Sequence, residues 1–160
     1  RYVFARIDRH TLSARFRANY AFSPDLSLEG YFEPFVATGE YSDFGELLAP
    51  GSAELLMYGT AGTTIEESGD EAPRTITVTD GPDEFSFIRE DFRALSFRSN
   101  LVMRWEWLPG STLFVVWQLD RGGFDFETAP DAAGVGDLLD TPGEPGRNFF
   151  AVKATYWLPI

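Results

Sequence analysis

The chain has no cysteine and a single histidine, His10. Without cysteine there is no disulfide framework, no thiolate zinc site and no thiol nucleophile. Basic residues are also scarce, 13 against 25 acidic, for a net charge of -12. An acidic surface repels phosphate backbones, so nucleic acid is not an expected partner. No run of 18 apolar residues occurs, so no transmembrane helix is expected. A signal-peptide pattern and an initiating Met are missing too. The opening "RYVFARIDR" already reads as a strand, and the expectation is a piece of a longer polypeptide.

Aromatic residues are abundant, at 16%, with 15 Phe, 6 Tyr and 4 Trp. The 15 Gly and 10 Pro suit a protein of many strands and turns. At 160 residues the chain is long enough for one domain, and it reads as a single β domain over 1–160. Charge is unevenly placed. Thirteen acidic residues lie in 37–93 and seven in 120–147, whereas these stretches hold only Arg74, Arg89, Arg93, Arg121 and Arg147 as bases. Residues 37–93 and 121–147 are therefore expected to be long acidic loops.

Between the loops the sequence alternates with a period of two, the mark of strands with one apolar side. A short strand at 2–8 and a tight connection at "DRHT" (8–11) come first. In "TLSARFRANYAF", Leu12, Ala14, Phe16, Ala18, Tyr20 and Phe22 share one face, while Ser13, Arg15, Arg17 and Asn19 share the other. After a turn at "SPD" (23–25), "LSLEGYFEPFV" sets Leu26, Leu28, Gly30, Phe32, Pro34 and Val36 against Ser27, Glu29, Tyr31, Glu33 and Phe35. Matching apolar face to apolar face pairs Phe22 with Leu26 and Phe16 with Phe32. The same register sets Arg15 opposite Glu33 and Asn19 opposite Glu29. Strands at 95–107, 112–120 and 148–158 follow, the second joined to the first through "PGS". Within 37–93, "SDFGELLA" is expected to hold one helical turn, with Asp43 and Glu46 spaced as a capping box. "RTITVT" and "EFSFI" are expected to form a hairpin around "DGPD".

The strands are thus joined alternately by short turns and long loops, which is the wiring of an outer-membrane barrel. Their lengths fit the about 9–11 residues that a membrane β-strand needs. "DRHT" is the exception, a short connection on the long-loop side. Tyr20, Phe22, Trp105, Trp107, Tyr156 and Trp157 fall at the strand ends on the short-turn side, where an interfacial aromatic girdle belongs.

The stretches "FARIDRHTLSARFRANYAFSPDLSLEGYFEPFVATGEYSDF", "FRSNLVMRWEWLPGSTLFVVW" and "NFFAVKATYW" together resemble the C-terminal β-barrel region of a bacterial outer-membrane family. The most specific part is 98–114. The resemblance implies an outer-membrane barrel of unknown function, preceded in family members by a carbohydrate-binding-type module. Here that module is absent, so a carbohydrate partner would come only through it. The chain also ends Leu158-Pro159-Ile160, where such barrels commonly close on an aromatic residue.

The charged residues Arg15, Arg17, Glu29, Glu33, Arg98, Arg104 and Glu106 face away from the apolar side, which in a barrel is the lumen. There they are expected either to set selectivity or merely to pair across strands. No catalytic residue is expected. His10 lies in a turn and no nucleophile elbow accompanies it. Glu29 and Glu33 stand roughly 13 Å apart along a strand, too far for a glycosidase pair. "EESGDE" (66–71) and "DGPDE" (80–84) lack EF-hand spacing, and no metal or cofactor is expected.

The expected fold is all-β: an antiparallel up-and-down sheet, part of an outer-membrane-type β-barrel. The expected role is a non-catalytic membrane anchor or passage in the outer membrane of a Gram-negative-type bacterium, with the lipid bilayer as partner. About six spanning strands are present, whereas membrane barrels start at eight. The missing strands would come from upstream sequence or from other copies of the chain. The other reading is a soluble, extracellular antiparallel β domain, acting as a binding module or as a subunit of an assembly.

Overall fold

The computed structural model describes residues 1–69, 73–126 and 132–158. Asp70 and Glu71 of the acidic cluster at 66–71, residues 127–131 of the second acidic stretch, and Pro159-Ile160 lie outside the described residues. The fold is all-β and mostly antiparallel, 71% strand and 6% helix. The strands are β1 (Phe4–Ser13), β2 (Phe16–Ser23), β3 (Leu26–Leu47), β4 (Leu55–Met57), β5 (Thr63–Ser68), β6 (Arg74–Asp80), β7 (Asp83–Arg89), β8 (Phe92–Leu108), β9 (Ser111–Phe126) and β10 (Gly146–Thr155). One short helix, α1 (Val135–Asp140), runs into a 3-10 turn at Thr141–Gly143.

Seven strands form one sheet in the order β1-β3-β8-β9-β10, with β2 and β4 also pairing with β3. Strands β5-β6-β7 form a second sheet. Among the described residues the large sheet does not close, and β10 ends the order. The chain divides into two compact units. Unit 1 comprises residues 1–10, 37–93 and 124–133, and unit 2 comprises 11–36, 94–123 and 134–160.

Unit 2 contains the alternating strands. The expected register holds through most of β2 and β3, with Phe16 opposite Phe32 and Asn19 opposite Glu29. It fails at the turn. The register shifts between Ala21 and Ser23, so Ser23, not Phe22, pairs with Leu26. The connection is then two residues, Pro24 and Asp25, rather than three. Ser23 explains the change, because its Oγ accepts the N–H groups of Asp25 (3.2 Å) and Leu26 (3.0 Å) and closes the turn from its own strand. Strands β8 and β9 are joined at Pro109 and Gly110, the latter with φ +77°. A side chain at Gly110 would strain that backbone and press on Trp157. Strand β10 pairs antiparallel with β9 from Gly146–Arg121 to Thr155–Thr112.

Unit 1 differs most from expectation. "DRHT" is no turn, because residues 8–11 lie inside β1. Nothing in those four residues forbids extended backbone. The break falls instead at Ala14-Arg15, inside the stretch 11–22 expected to be one strand, and β1 and β2 both pair with β3. The stretch 37–93 is not an irregular loop. Strand β3 continues to Leu47, so "SDFGELLA" is strand through Leu47, and Asp43 takes φ +52° instead of capping a helix. Two glycines make the continuation possible. A Cβ on Gly39 would run into the Phe92 ring, and one on Gly45 would lie 2.6 Å from the Leu56 carbonyl oxygen. The expected hairpin is present as β6 and β7, with Asp80 opposite Asp83 and a positive φ at Gly81 beside Pro82. Likewise β9 extends through Phe126 and α1 occupies part of 121–147. Tyr58, Ile76 and Val78 are buried here, with Phe44, Phe85 and Phe87 packed around them.

Replacing Ile76 with Ala is expected to cost unit 1 about 2–5 kcal/mol, whereas the exposed Ile88→Ala should stay within about 0.5 kcal/mol. Hydrogen-exchange protection of the β6 amides checks both, and equal effects would remove the Ile76 cluster as the core of unit 1.

Candidate functional site

Two faces of unit 2 and one charged cluster of unit 1 carry the chemistry. On the polar face, the β2–β3 register places Arg15 beside Glu33, and its Nε donates to Glu33 Oε1 at 2.7 Å. Glu33 also accepts the Tyr31 hydroxyl at 2.8 Å. The Arg17 guanidinium lies over the Tyr31 ring, 5.7 Å from its centroid. Arg98 reaches Asp120 at 3.9 Å, and Arg104 pairs with Glu106 at 2.9 Å within one strand. The other Glu106 oxygen accepts the Gly110 N–H. The seven charged residues singled out from the sequence therefore do not form one mutual ladder. Arg15 and Glu33 meet across strands and Arg104 and Glu106 meet along one. Arg98 takes a partner that sequence reasoning missed, and Arg17 takes an aromatic ring. Glu29 stands opposite Asn19 and, with Arg17, Tyr31 and Asn100, lines a hollow of about 390 Å³.

The opposite face is apolar, half-buried along β3, β8 and β9 and exposed on β2 and β10. Among the described residues of unit 2, only Val36 and Leu95 are buried hydrophobics. Phe16 is 58% exposed, Phe150 65% and Val152 69%. Trp117 and Phe150 are direct cross-strand partners with rings stacked 5.7 Å apart and nearly parallel, and Trp117 Nε1 donates to Asn148 Oδ1. Soluble monomers rarely leave so contiguous an aromatic surface uncovered.

Of the six aromatics expected at the short-turn side, Tyr20 and Phe22 lie at the end of β2, Trp105 and Trp107 at the end of β8, and Tyr156 and Trp157 just after β10. The Glu106 N–H donates to the Asp25 carbonyl at 2.8 Å, which joins the β2–β3 turn to the end of β8. The Trp157 N–H donates to Ser111 Oγ at 3.0 Å, which brings the residues after β10 to the start of β9. Tyr20 and Phe22 meet edge-on at 4.7 Å, and Trp105 and Trp107 at 6.4 Å. Tyr156 and Trp157 follow the end of β10 and are both exposed.

Sequence reasoning missed the charge cluster of unit 1. Arg89 reaches Glu40 and Glu67 at 3.1 Å each, and its Nε lies 2.7 Å from Asp91 Oδ2. That last contact is out of line for a hydrogen bond, so it is Coulombic. Asp91 is 2% exposed, and its other oxygen accepts the Tyr41 N–H at 2.7 Å. Glu67 also binds Arg74 at 2.7 Å. The hairpin contained the signal, because "DGPD" sets Arg74 opposite Arg89, two cations that need an acid between them. Glu67 was weighed only as a metal ligand within "EESGDE" and not brought to Arg74 and Arg89, because β5 was not read as a strand. The cluster sets the acids Glu40, Glu67 and Asp91 around Arg74 and Arg89 and ties β3, β5, β6 and β7 together, with no nucleophile in it. His10 lies in β1, exposed, and Tyr58 is buried within unit 1. Burial, then Glu46, pushes its hydroxyl up to about 12.

No protein-family model matches the chain, and no curated protein or solved structure does either.

Glu67 supplies a pH test. Burial raises its pKa, but the hydrogen bond and charge of Arg74 and the charge of Arg89 outweigh that and hold the carboxyl below its ordinary value. A carboxyl with a depressed folded pKa stabilises fully above its unfolded pKa of about 4.3, and the contribution disappears as pH falls through the folded value. Protection of β5 and β6 amides is therefore expected to drop below about pH 4, and Glu67→Gln should remove that dependence. An unchanged acid profile in Glu67→Gln would take the cluster out of the account. On the polar face, Arg15→Glu should destabilise more than Arg15→Ala, because it sets like charges opposite each other. Equal losses in thermal unfolding would remove the Arg15–Glu33 pair as a contributor.

Proposed function

We propose that this chain is a segment of an outer-membrane-type β-barrel, serving as membrane anchor or passage and performing no catalysis of its own. One observation carries the reading: the strands of unit 2 present an apolar, aromatic face with exposed rings, while their charged side chains, apart from Arg121 at the end of the β9–β10 ladder, stand on the other face. Lipid is the cover that fits. A bilayer leaves such a face in place, provided every backbone group is paired.

The dimensions support this. The part of β3 in unit 2 runs from Leu26 to Val36, and eleven extended residues cover about 36 Å. Tilted by about 45°, that length spans roughly the 25 Å apolar band of such barrels. The aromatic end fits an interfacial girdle, and the polar face then lines a lumen. Bare N–H and C=O groups along a strand edge cost several kcal/mol each in hydrocarbon. The sheet is accordingly completed by further strands, from the same polypeptide or from other copies arranged with symmetry. Unit 1, with its own buried cluster and its acidic surface, suits the water side. Among the described residues no helix is long and apolar enough to cross a membrane, which says nothing about strands.

Neighbouring valines provide the test, since Val115 lies opposite Val152 on the apolar face and Val116 opposite Ala151 on the polar face. In vesicles carrying brominated acyl chains, the tryptophan emission is expected to be quenched. Val115→Arg should weaken insertion by about 2–4 kcal/mol, while Val116→Arg leaves it nearly intact. A chain that stays monodisperse in buffer without detergent, and shows no quenching, overturns this reading. The soluble extracellular β module would then take its place.

A further inference from the structure

We infer that the polar face of unit 2 selects small anions, so that the passage proposed above, on which this rests, conducts anions in preference to cations. The chain as a whole points the other way, with a net charge of -12. That charge is not shared evenly. Unit 1 holds 17 acidic and 6 basic residues, a net of -11, whereas unit 2 holds 8 and 7, a net of -1.

The strands sort the remainder. Pairing of β2 with β3 and of β9 with β10, and the Arg98–Asp120 contact, place Arg15, Arg17, Arg98, Arg104, Arg147 and Lys153 on the polar face. Against them stand Glu29, Glu33, Glu106 and Asp120, so the face carries a net +2 inside an acidic protein.

Hydrogen bonding sharpens the bias. Glu33 is engaged by Arg15 and Tyr31, and Glu106 by Arg104 and the Gly110 N–H. Among the described residues of this face, Arg17, Arg147 and Lys153 make no ion pair, and Glu29 is the one acid that makes none. Of the three cations, Arg147 stands opposite Asp120 in the ladder, which leaves Arg17 and Lys153 without an acid facing them. Arg17 lies against the Tyr31 ring, which takes none of its five N–H donors in the plane of the guanidinium. Lys153 stands opposite Phe114 in the ladder, with apolar neighbours on the partner strand. Charges left uncompensated along a low-dielectric wall concentrate counter-ions of the opposite sign. These two residues are therefore the ones to which the selectivity is assigned.

The test is conductance of the full chain in planar bilayers of neutral phosphatidylcholine under a potassium chloride gradient. The reversal potential is expected to give a chloride-to-potassium permeability ratio above unity. The ratio should rise on dilution, because the Debye length grows from about 3 Å at 1 M to about 10 Å at 0.1 M. Arg17→Glu with Lys153→Glu moves the face from +2 to -2 and should reverse the sign of the potential. If that variant fails to insert, Arg17→Gln with Lys153→Gln is expected to bring the ratio close to unity. Insertion without conductance, or conductance that is unselective or cation-selective in the unaltered chain, overturns the inference and leaves the membrane reading standing. Cation selectivity would assign control to the acidic unit 1 instead. Anion selectivity that survives both double variants removes Arg17 and Lys153 from the account. A chain that never enters the bilayer overturns the barrel reading, and this inference with it.

Discussion

A β-sheet one layer thick has two faces, and a face of phenylalanine, tryptophan, leucine and valine must be covered by something other than water. That constraint governs unit 2. Its described strands pair with one another through the ladder, which gives backbone groups inside the sheet their partners. The apolar requirement is not met within the chain. Phe16, Phe150 and Val152 remain more than half exposed, and among the described residues of the unit only Val36 and Leu95 are buried hydrophobics. The proposal that lipid and further strands complete the unit follows from this imbalance, which is thermodynamic before it is functional.

Unit 1 meets the same constraint differently. A second sheet, β5-β6-β7, supplies Ile76 and Val78 to a cluster with Tyr58 and the rings of Phe44, Phe85 and Phe87. Charge is handled in parallel. Asp91 lies almost wholly buried, and it is tolerable there because Arg89 and the Tyr41 N–H engage both its oxygens. Removing one member of such a cluster leaves another buried charge without compensation, so the group acts as a joint. Unit 1 also carries nearly all of the net negative charge, while unit 2 is close to neutral.

Much of unit 2 was legible from residues alone. Period-two alternation over 11–22 and 26–36 set Phe16 against Phe32, and the same register brought Arg15 to Glu33. A register error of one residue would have put every apolar side chain on the wrong face, so strong alternation leaves little freedom. The strand ends at Pro24-Asp25 and Pro109-Gly110 were legible too, since turn residues locate them.

Other features needed three dimensions. Phe22 lost its partner because Ser23 closed the turn with its hydroxyl, a local hydrogen bond that hydrophobic parity does not encode. Residues 37–47 do not alternate cleanly, and their strand exists because Gly39 admits the Phe92 ring and Gly45 the Leu56 main chain. The Arg89 cluster joins residues 49 and 22 positions away in the chain, contacts invisible to any short window. The sequence alone determined strand periodicity, facial polarity and the acid-rich segments, because these depend on neighbours one or two positions apart. Only the tertiary structure decided where strands continue, which charges meet and which apolar side chains stay exposed, because those depend on space between residues that the chain brings together from far apart.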